Sequence, residues 1–173
     1  MVEQLANKIA VKIHETNPEG TASVEVMRYA LVGLLHNGFT ISAALIVGLF
    51  AGTFSETLLG VVSLMTLRLV SGGYHFSSML ACSIFSFSVF VAIPFIPVNH
   101  ETALIVNAVS LVLCLIFSPS NIKEHIRVSE KYFFVFKLLS IMMVVSNFFL
   151  LNPIITLGFF AQSLLLITFW KGR

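Results

Sequence analysis

The sequence predicts an all-α integral membrane protein, in which a bundle of six transmembrane helices follows an amphipathic N-terminal helix. Two observations support this class. Hydrophobic residues make up 57% of the 173 residues and charged residues only 10%, whereas soluble domains average roughly half and a quarter. The chain also contains long uncharged runs and no aspartate. A soluble domain of this length has too little interior to bury so much apolar surface, so that surface is expected to face lipid.

The N-terminal segment has the pattern of an amphipathic helix. Between residues 2 and 15, apolar residues recur at spacings of three and four, and charged residues occupy other positions. The apolar positions are Val2, Leu5, Ala6, Ile9, Ala10 and Ile13. We expect residues 1–20 to form an interfacial helix, lying on the membrane or under the bundle, which "NPEG" at 17–20 ends. Residues 21–173 then form the six-span domain.

Six apolar stretches follow, most of them near the roughly 20 residues that a helix needs to cross the hydrocarbon core. They cover residues 29–51, 57–70, 77–97, 102–118, 133–150 and 153–170. The second stretch is short enough to be re-entrant instead of spanning. The charges favour six spans, because every Lys and Arg then falls on the same side of the membrane as the N-terminus. The positive-inside rule identifies that side as the cytoplasmic one. Both termini are therefore predicted to be cytoplasmic.

Several function classes are disfavoured by composition. The formal net charge of +2 is too small to indicate a nucleic-acid partner. The five histidines never occur in pairs four residues apart, the spacing of helical zinc ligands, so we expect neither a metal nor another cofactor. Two cysteines in a chain of this length indicate free thiols, not a disulfide framework.

One polar stretch, "LVSGGYHFSSMLACS" at residues 69–83, interrupts the apolar sequence. In one continuous helix, His75 and Cys82 would lie about 10 Å apart along the axis, beyond hydrogen-bond reach. Gly72 and Gly73 permit positive φ, so the chain can turn sharply after the second span and bring His75 back over the third. A histidine that reaches the thiol can take its proton, and the thiolate is the reactive nucleophile. The alternative is that the glycines only punctuate a loop and the cysteine is a small apolar residue.

Other polar residues in the apolar stretches leave alternatives open. Arg68 near the end of the second span either extends to the lipid headgroups, or binds a substrate carboxylate, or steadies the loop. For His36 and Asn37 we favour interhelical hydrogen bonds over a site. Cys114 has no polar neighbour in the sequence and is interpreted as a packing residue.

The run Arg68, Gly72, Gly73, Tyr74, His75 and Cys82 resembles the motif of the AgrB family, the accessory gene regulator B proteins of Gram-positive quorum-sensing systems. The stretch "SPSNIKEHIRVSEKYFFVFK" at 118–137 is similar to the family's cytoplasmic segment and keeps Pro119, Asn121, Ser129, Glu130 and Lys131. It departs from the family in Ser118, which replaces an alanine, and in "HIR", which replaces an Asn-Lys-Pro-like run.

The resemblance implies a membrane-embedded cysteine endopeptidase with His75 and Cys82 as the catalytic pair. Its substrate would be an AgrD-like precursor peptide, whose C-terminal tail it removes through a thioester acyl-enzyme before a thiolactone or lactone ring closes. The supporting residues are Arg68, Gly72, Gly73, Lys123, Arg127 and Lys131, the basic ones attracting an acidic tail. It further implies a homodimer in the cell membrane of a Gram-positive bacterium, with the active site facing the cytoplasm.

Two rival interpretations lie outside peptidase chemistry. A polytopic transporter or channel subunit would use Arg68 and His75 to line a polar path. It predicts further charges inside the later spans, where Lys137 near one end is the single example. A sensor or scaffold protein without chemistry leaves the spacing of the glycines, His75 and Cys82 as coincidence.

Overall fold

The protein is all-helical in the computed structural model, which describes residues 2–74, 78–120 and 132–167. These residues contain seven α-helices and no strand. In chain order they are α1 (Val2–Thr16), α2 (Val24–Phe50), α3 (Phe54–Ser71), α4 (Met79–Ala92), α5 (His100–Phe117), α6 (Phe133–Leu150) and α7 (Pro153–Leu164). A 3-10 turn, Ile93–Phe95, extends α4.

Each of the six predicted apolar stretches coincides with one helix, from α2 to α7. Among the described residues, four helices (α2, α3, α5 and α6) are long and apolar enough to cross a membrane, so this is a membrane protein. Helix α3, which the sequence left open as a re-entrant segment, has 18 residues and extends about 27 Å. Helices α4 and α7 are apolar but shorter. The count of six spans and the cytoplasmic termini stay predictions.

The outer surface of the bundle is apolar, as expected of helices in lipid. Large hydrophobic side chains are exposed on every long helix, and the most exposed, Phe50 and Phe149, exceed 80%. Such an extent of exposed apolar surface is far above that of a monomeric soluble protein. The exposed apolar side chains agree with the lipid-facing surface that the composition predicts.

Helix α1 packs along α2 and is joined to it by a short turn. Ala6 and Ala10 are fully buried, and their small side chains permit a close approach. The remaining apolar positions of the stripe are more open, with Leu5 and Ile13 both above 40% exposed. An amphipathic helix is thus present at Val2–Thr16, and its position at the membrane surface stays a prediction.

Helix α3 lies at the centre of the bundle, because it contributes to both apolar clusters of the core. One cluster joins α3 to α5, α6 and α7 and contains Leu67, Cys114, Val144, Phe159 and Leu166. The other joins α3 to α2 and α4 and contains Ala44, Val61, Leu64 and Phe90. Helix α3 is therefore packed against its neighbours in sequence, α2 and α4, and against the more distant helices α5, α6 and α7.

Buried amides connect α5, α6 and α7 within the apolar core. Asn147 donates to Asn107 Oδ1 at 3.1 Å and to Thr156 Oγ1 at 2.8 Å, and Asn107 donates to the carbonyl oxygen of Val144 at 3.1 Å. All three polar side chains are fully buried. Interhelical hydrogen bonds of this kind contribute about 0.6 kcal/mol on average in membrane proteins. They explain why polar residues occur within otherwise apolar helices.

Helices α3 and α7 make a close contact in the core at Gly158 and Ser63. A Cβ atom on Gly158 would collide with Ser63 Oγ and lie 3.2 Å from Ser63 Cβ and 3.4 Å from the carbonyl oxygen of Gly60. A side chain at position 158 would therefore force the two helices apart.

We expect Gly158→Ala to destabilise the protein by about 1–3 kcal/mol, the usual cost of overpacking a close contact. Gly38→Ala in α2 is the matched control, because nothing lies within 4 Å of a Cβ placed there. The control should be neutral or slightly stabilising, since alanine favours the helix over glycine. Thermal unfolding in one detergent measures both, and a Gly158→Ala variant as stable as wild type would contradict the packing described.

Candidate functional site

The candidate site lies at the C-terminal end of α3, where Arg68 occupies the last turn of the helix. Arg68 Nη2 donates to the carbonyl oxygen of Tyr74 at 3.1 Å, and Nη1 makes a longer contact of 3.4 Å with Gln162 Oε1. The guanidinium is half-buried. Of the interpretations that the sequence left open for Arg68, these contacts support the one in which it steadies the loop.

The two glycines end α3 in conformations that other residues rarely adopt. Gly72 has a φ of 69° and Gly73 a φ of 129°, both in the region that favours glycine. At Gly73 space is limiting as well, because a Cβ would lie 3.1 Å from the carbonyl oxygen of Leu165 and 3.2 Å from Gln162 Nε2. The backbone turns sharply here and runs directly against the end of α7.

Backbone hydrogen bonds tie this turn to two other segments of the chain. Gly73 N donates to the carbonyl oxygen of Ser120 at 2.9 Å, and Ser120 N donates to that of Ser71 at 2.9 Å. Tyr74 N donates to the carbonyl oxygen of Leu165. The ends of α3, α5 and α7 therefore meet at one place, and the segment Ser71–Tyr74 is held between the other two.

Gln162 completes the arrangement from α7, and the sequence analysis missed it. Its Nε2 donates to the carbonyl oxygen of Gly72 at 2.6 Å and to Ser71 Oγ at 3.2 Å. The side chain is fully buried. The signal that was available is a lone amide in the sixth apolar stretch, since polar residues inside membrane helices commonly form hydrogen bonds between helices.

Cys82 lies at the start of α4, with a free and partly buried thiol. Its backbone N–H donates to the carbonyl oxygen of Ser78, the N-cap residue. The positive end of the helix macrodipole is therefore one turn away. The guanidinium of Arg68 also lies within electrostatic range of the Cys82 sulfur.

The remaining predicted site residues are not among those that the structure describes. His75 falls between Tyr74 and Ser78, the described residues on either side. The three basic residues that the resemblance implies for tail recognition fall between Ser120 and Tyr132. They are Lys123, Arg127 and Lys131.

Two other polar residues that the sequence singled out lie apart from this site. His36 Nδ1 is 3.5 Å from Ser83 Oγ, a contact between α2 and α4 of the kind favoured above, whereas Asn37 is exposed. Cys114 is fully buried in the core, as expected of a packing residue. Its sulfur lies 3.6 Å from Ser163 Oγ, a polar partner from another helix.

An open cavity of about 410 Å³ lies next to His36 and has mostly apolar walls. On α4 it is lined by Ser83, Ile84 and Phe87. At 100° per residue the middle of this set points roughly 150° away from Cys82. The cavity is thus on the opposite face of α4 from the thiol and does not belong to its surroundings.

Comparison with known proteins gives one consistent result. A family model described as Accessory gene regulator B matches residues 3–171. The chain is 32% identical over 110 residues to an AgrB-like protein of Halalkalibacterium halodurans, a match that covers 64% of this chain and 56% of that protein. It is 34% identical over 89 residues to protein FsrB of Enterococcus faecalis, covering 51% of this chain and 37% of that protein.

These matches span little more than half, or less, of the length of the curated relatives. No solved structure matches the chain. The family model nevertheless extends over almost all of the sequence. It includes the turn at the end of α3 and the start of α4. The chain therefore belongs to the accessory gene regulator B family.

Proposed function

We propose that this protein is a membrane-embedded cysteine endopeptidase that processes an AgrD-like precursor peptide in quorum sensing. One observation carries the proposal. Arg68 donates a hydrogen bond to Tyr74, the residue before His75, and also lies within electrostatic range of Cys82. The same side chain is thus bonded to the chain leading into the proposed base and is near the proposed nucleophile. Family membership and the two relatives support the same assignment.

The chemistry follows from a thiol beside an imidazole. His75 takes the proton of the Cys82 thiol, and the thiolate attacks the carbonyl carbon that precedes the tail of the precursor. The C–N bond breaks, His75 returns the proton to the leaving amine, and the rest of the peptide stays on Cys82 as a thioester. A Cys or Ser side chain of the precursor then attacks the thioester, closes a thiolactone or lactone ring and regenerates the Cys82 thiol.

Ring closure requires that water does not hydrolyse the thioester first. The end of α3 is enclosed by α5, α6 and α7 through the core cluster around Leu67, and Cys82 is partly buried. A site sunk into a helix bundle excludes water and so protects a reactive intermediate.

We further propose that Lys123, Arg127 and Lys131 attract the acidic tail of the precursor. Ser120 is hydrogen-bonded to Gly73, and Lys123 follows it by three residues. Three residues extend at most about 11 Å. A positive field from three basic residues that follow Ser120 so closely in the sequence would gather a negatively charged tail.

The proposed topology has six spans, both termini in the cytoplasm and the site on the cytoplasmic side of a Gram-positive cell membrane. The direction of the helices supports it. Gly158 lies against Ser63, and Gln162 four residues later lies against Ser71, so α3 and α7 run in the same direction. As the second and sixth of six alternating spans, they must do so. The interfacial position of residues 1–20 and a homodimer are part of the same proposal.

The catalytic pair is tested by Cys82→Ala and His75→Ala in cells that co-express an AgrD-like precursor with a tagged tail. Each variant should lower tail removal at least about a hundredfold, because a nucleophile or general base is lost. Cys114→Ala is the control for losing a thiol and should retain cleavage. Wild-type cleavage by Cys82→Ala would exclude the proposed mechanism and favour the transporter or scaffold interpretations.

The turn is tested by Gly73→Ala, which should lower tail removal more than tenfold. The positive φ costs an alanine about 1–2 kcal/mol, and its Cβ would press on Leu165 and Gln162. Gly52→Ala is the matched control: its φ is 73° but nothing lies within 4 Å of a Cβ there. Both variants carry backbone strain, so equal losses of activity would show that the contacts of Gly73 are irrelevant.

Tail recognition is tested by replacing Lys123, Arg127 and Lys131 together with glutamine. The KM for a precursor with an acidic tail should rise, most strongly at low salt where charges are least screened, while kcat changes little. For a precursor whose tail acids are replaced by amides, the KM values of wild type and variant should differ much less. An equal rise in KM for both precursors would argue against charge recognition.

A further inference from the structure

We propose that Gln162 is a positioning residue for the catalytic loop, acting on His75 through Gly72 and Arg68. The inference rests on the proposed function. Gln162 is not a catalytic residue, because its hydrogen-bond partners belong to the protein itself. It sets where the chain leaves α3, and so where the base can lie relative to the thiol of Cys82.

The hydrogen bonds of Gln162 allow one orientation of its amide. Both N–H groups are used, toward the carbonyl oxygen of Gly72 at 2.6 Å and toward Ser71 Oγ at 3.2 Å. Oε1 faces Arg68 Nη1 at 3.4 Å. Exchanging the amide oxygen and nitrogen would place Oε1 against the Gly72 oxygen and a donor against the guanidinium, two mismatches. The complete set of partners therefore fixes this fully buried side chain.

These partners are the points that determine the course of residues 72–74. The Gly72 carbonyl belongs to the peptide unit between the two glycines, and Arg68, held from the other side by Gln162, donates to the Tyr74 carbonyl. Gln162 thus acts on Gly72 directly and on Tyr74 through Arg68. A misplacement of about 1 Å can lower a catalytic rate a hundredfold.

The packing of α7 explains why Gln162 reaches this position. Gly158 is four residues earlier on the same helix face, and its lack of a side chain lets α7 approach α3 at Ser63. Three residues after Gln162, the carbonyl oxygen of Leu165 accepts from Tyr74 N. The last turn of α7 therefore supports the loop through the side chain of Gln162 and the backbone of Leu165.

The rival explanation is that Gln162 only joins helices, as buried polar residues do elsewhere in the bundle. Ser163 provides the comparison. It is also fully buried, but its hydroxyl donates to the carbonyl oxygen of Phe159 in its own helix at 2.7 Å. Its longer contacts are with α5, to the carbonyl oxygen of Ser110 at 3.5 Å and to Cys114 Sγ at 3.6 Å. None of these partners belongs to the loop. Loss of Ser163 should therefore affect stability without affecting the geometry of the loop.

The experiment compares Gln162→Leu with Ser163→Ala in the full chain, purified in detergent and given an AgrD-like precursor peptide. We expect Gln162→Leu to lower kcat for tail removal 10- to 100-fold and to change KM less than about threefold. In a Cys114→Ala background, Cys82 should also react more slowly with iodoacetamide, because His75 no longer reaches the thiol. Ser163→Ala should stay within about threefold of wild type in kcat and in alkylation rate.

A Gln162→Leu variant with wild-type kcat and alkylation rate would overturn the inference, and so would equal losses in Gln162→Leu and Ser163→Ala. If Gln162→Leu is not recovered folded, Gln162→Met carries the same expectation, because its flexible, unbranched side chain fills similar space without these hydrogen bonds. The Cys82→Ala variant, assayed in parallel, distinguishes a failure of the peptidase assignment from a failure of the role of Gln162. Tail removal by Cys82→Ala refutes the peptidase assignment, whereas an inactive Cys82→Ala beside a fully active Gln162→Leu refutes only the role of Gln162.

Discussion

The close approach of α7 to α3 at Gly158 and Ser63 is the constraint on which the candidate site depends. In lipid there is little hydrophobic drive to bring helices together, so van der Waals packing and interhelical hydrogen bonds must do so. A glycine allows both, because it brings backbones close enough for side chains one turn away to form hydrogen bonds. The contact of Gln162 with the end of α3 is a direct consequence of the missing side chain at position 158.

The same end of the bundle collects three chain segments that are far apart in the sequence. The turn after α3, the residue Ser120 after α5 and Leu165 after α7 are joined by backbone hydrogen bonds. Unpaired backbone groups are costly in an apolar environment, and the pairing satisfies them. It also gives the loop before His75 a defined course. Order at this loop and partial burial of Cys82 are what a thiol peptidase with a protected acyl intermediate requires.

The sequence predicted the helices well because hydropathy and helix length are local properties. The glycine turn was also predictable, because glycine at a helix end favours a positive φ. The apolar stripe on α1 was predictable from its periodicity. The partners of Gln162, Ser120 and Cys114 were not predictable. Their contacts join residues from 47 to 94 positions apart, and no periodicity marks them. Arg68 was recognised as a candidate, but its role depended on partners from the far end of the chain.

The central claim is that Cys82 carries the peptide as a thioester, and the mass of the protein tests it most directly. A precursor in which the ring-forming Cys or Ser is replaced by alanine cannot cyclise, so the acyl-enzyme should accumulate. Intact-protein mass spectrometry should then show an adduct equal to the precursor without its tail, on Cys82 and removable by hydroxylamine. Release of the tail with no adduct at any time, or an adduct that persists in Cys82→Ala, would contradict the account.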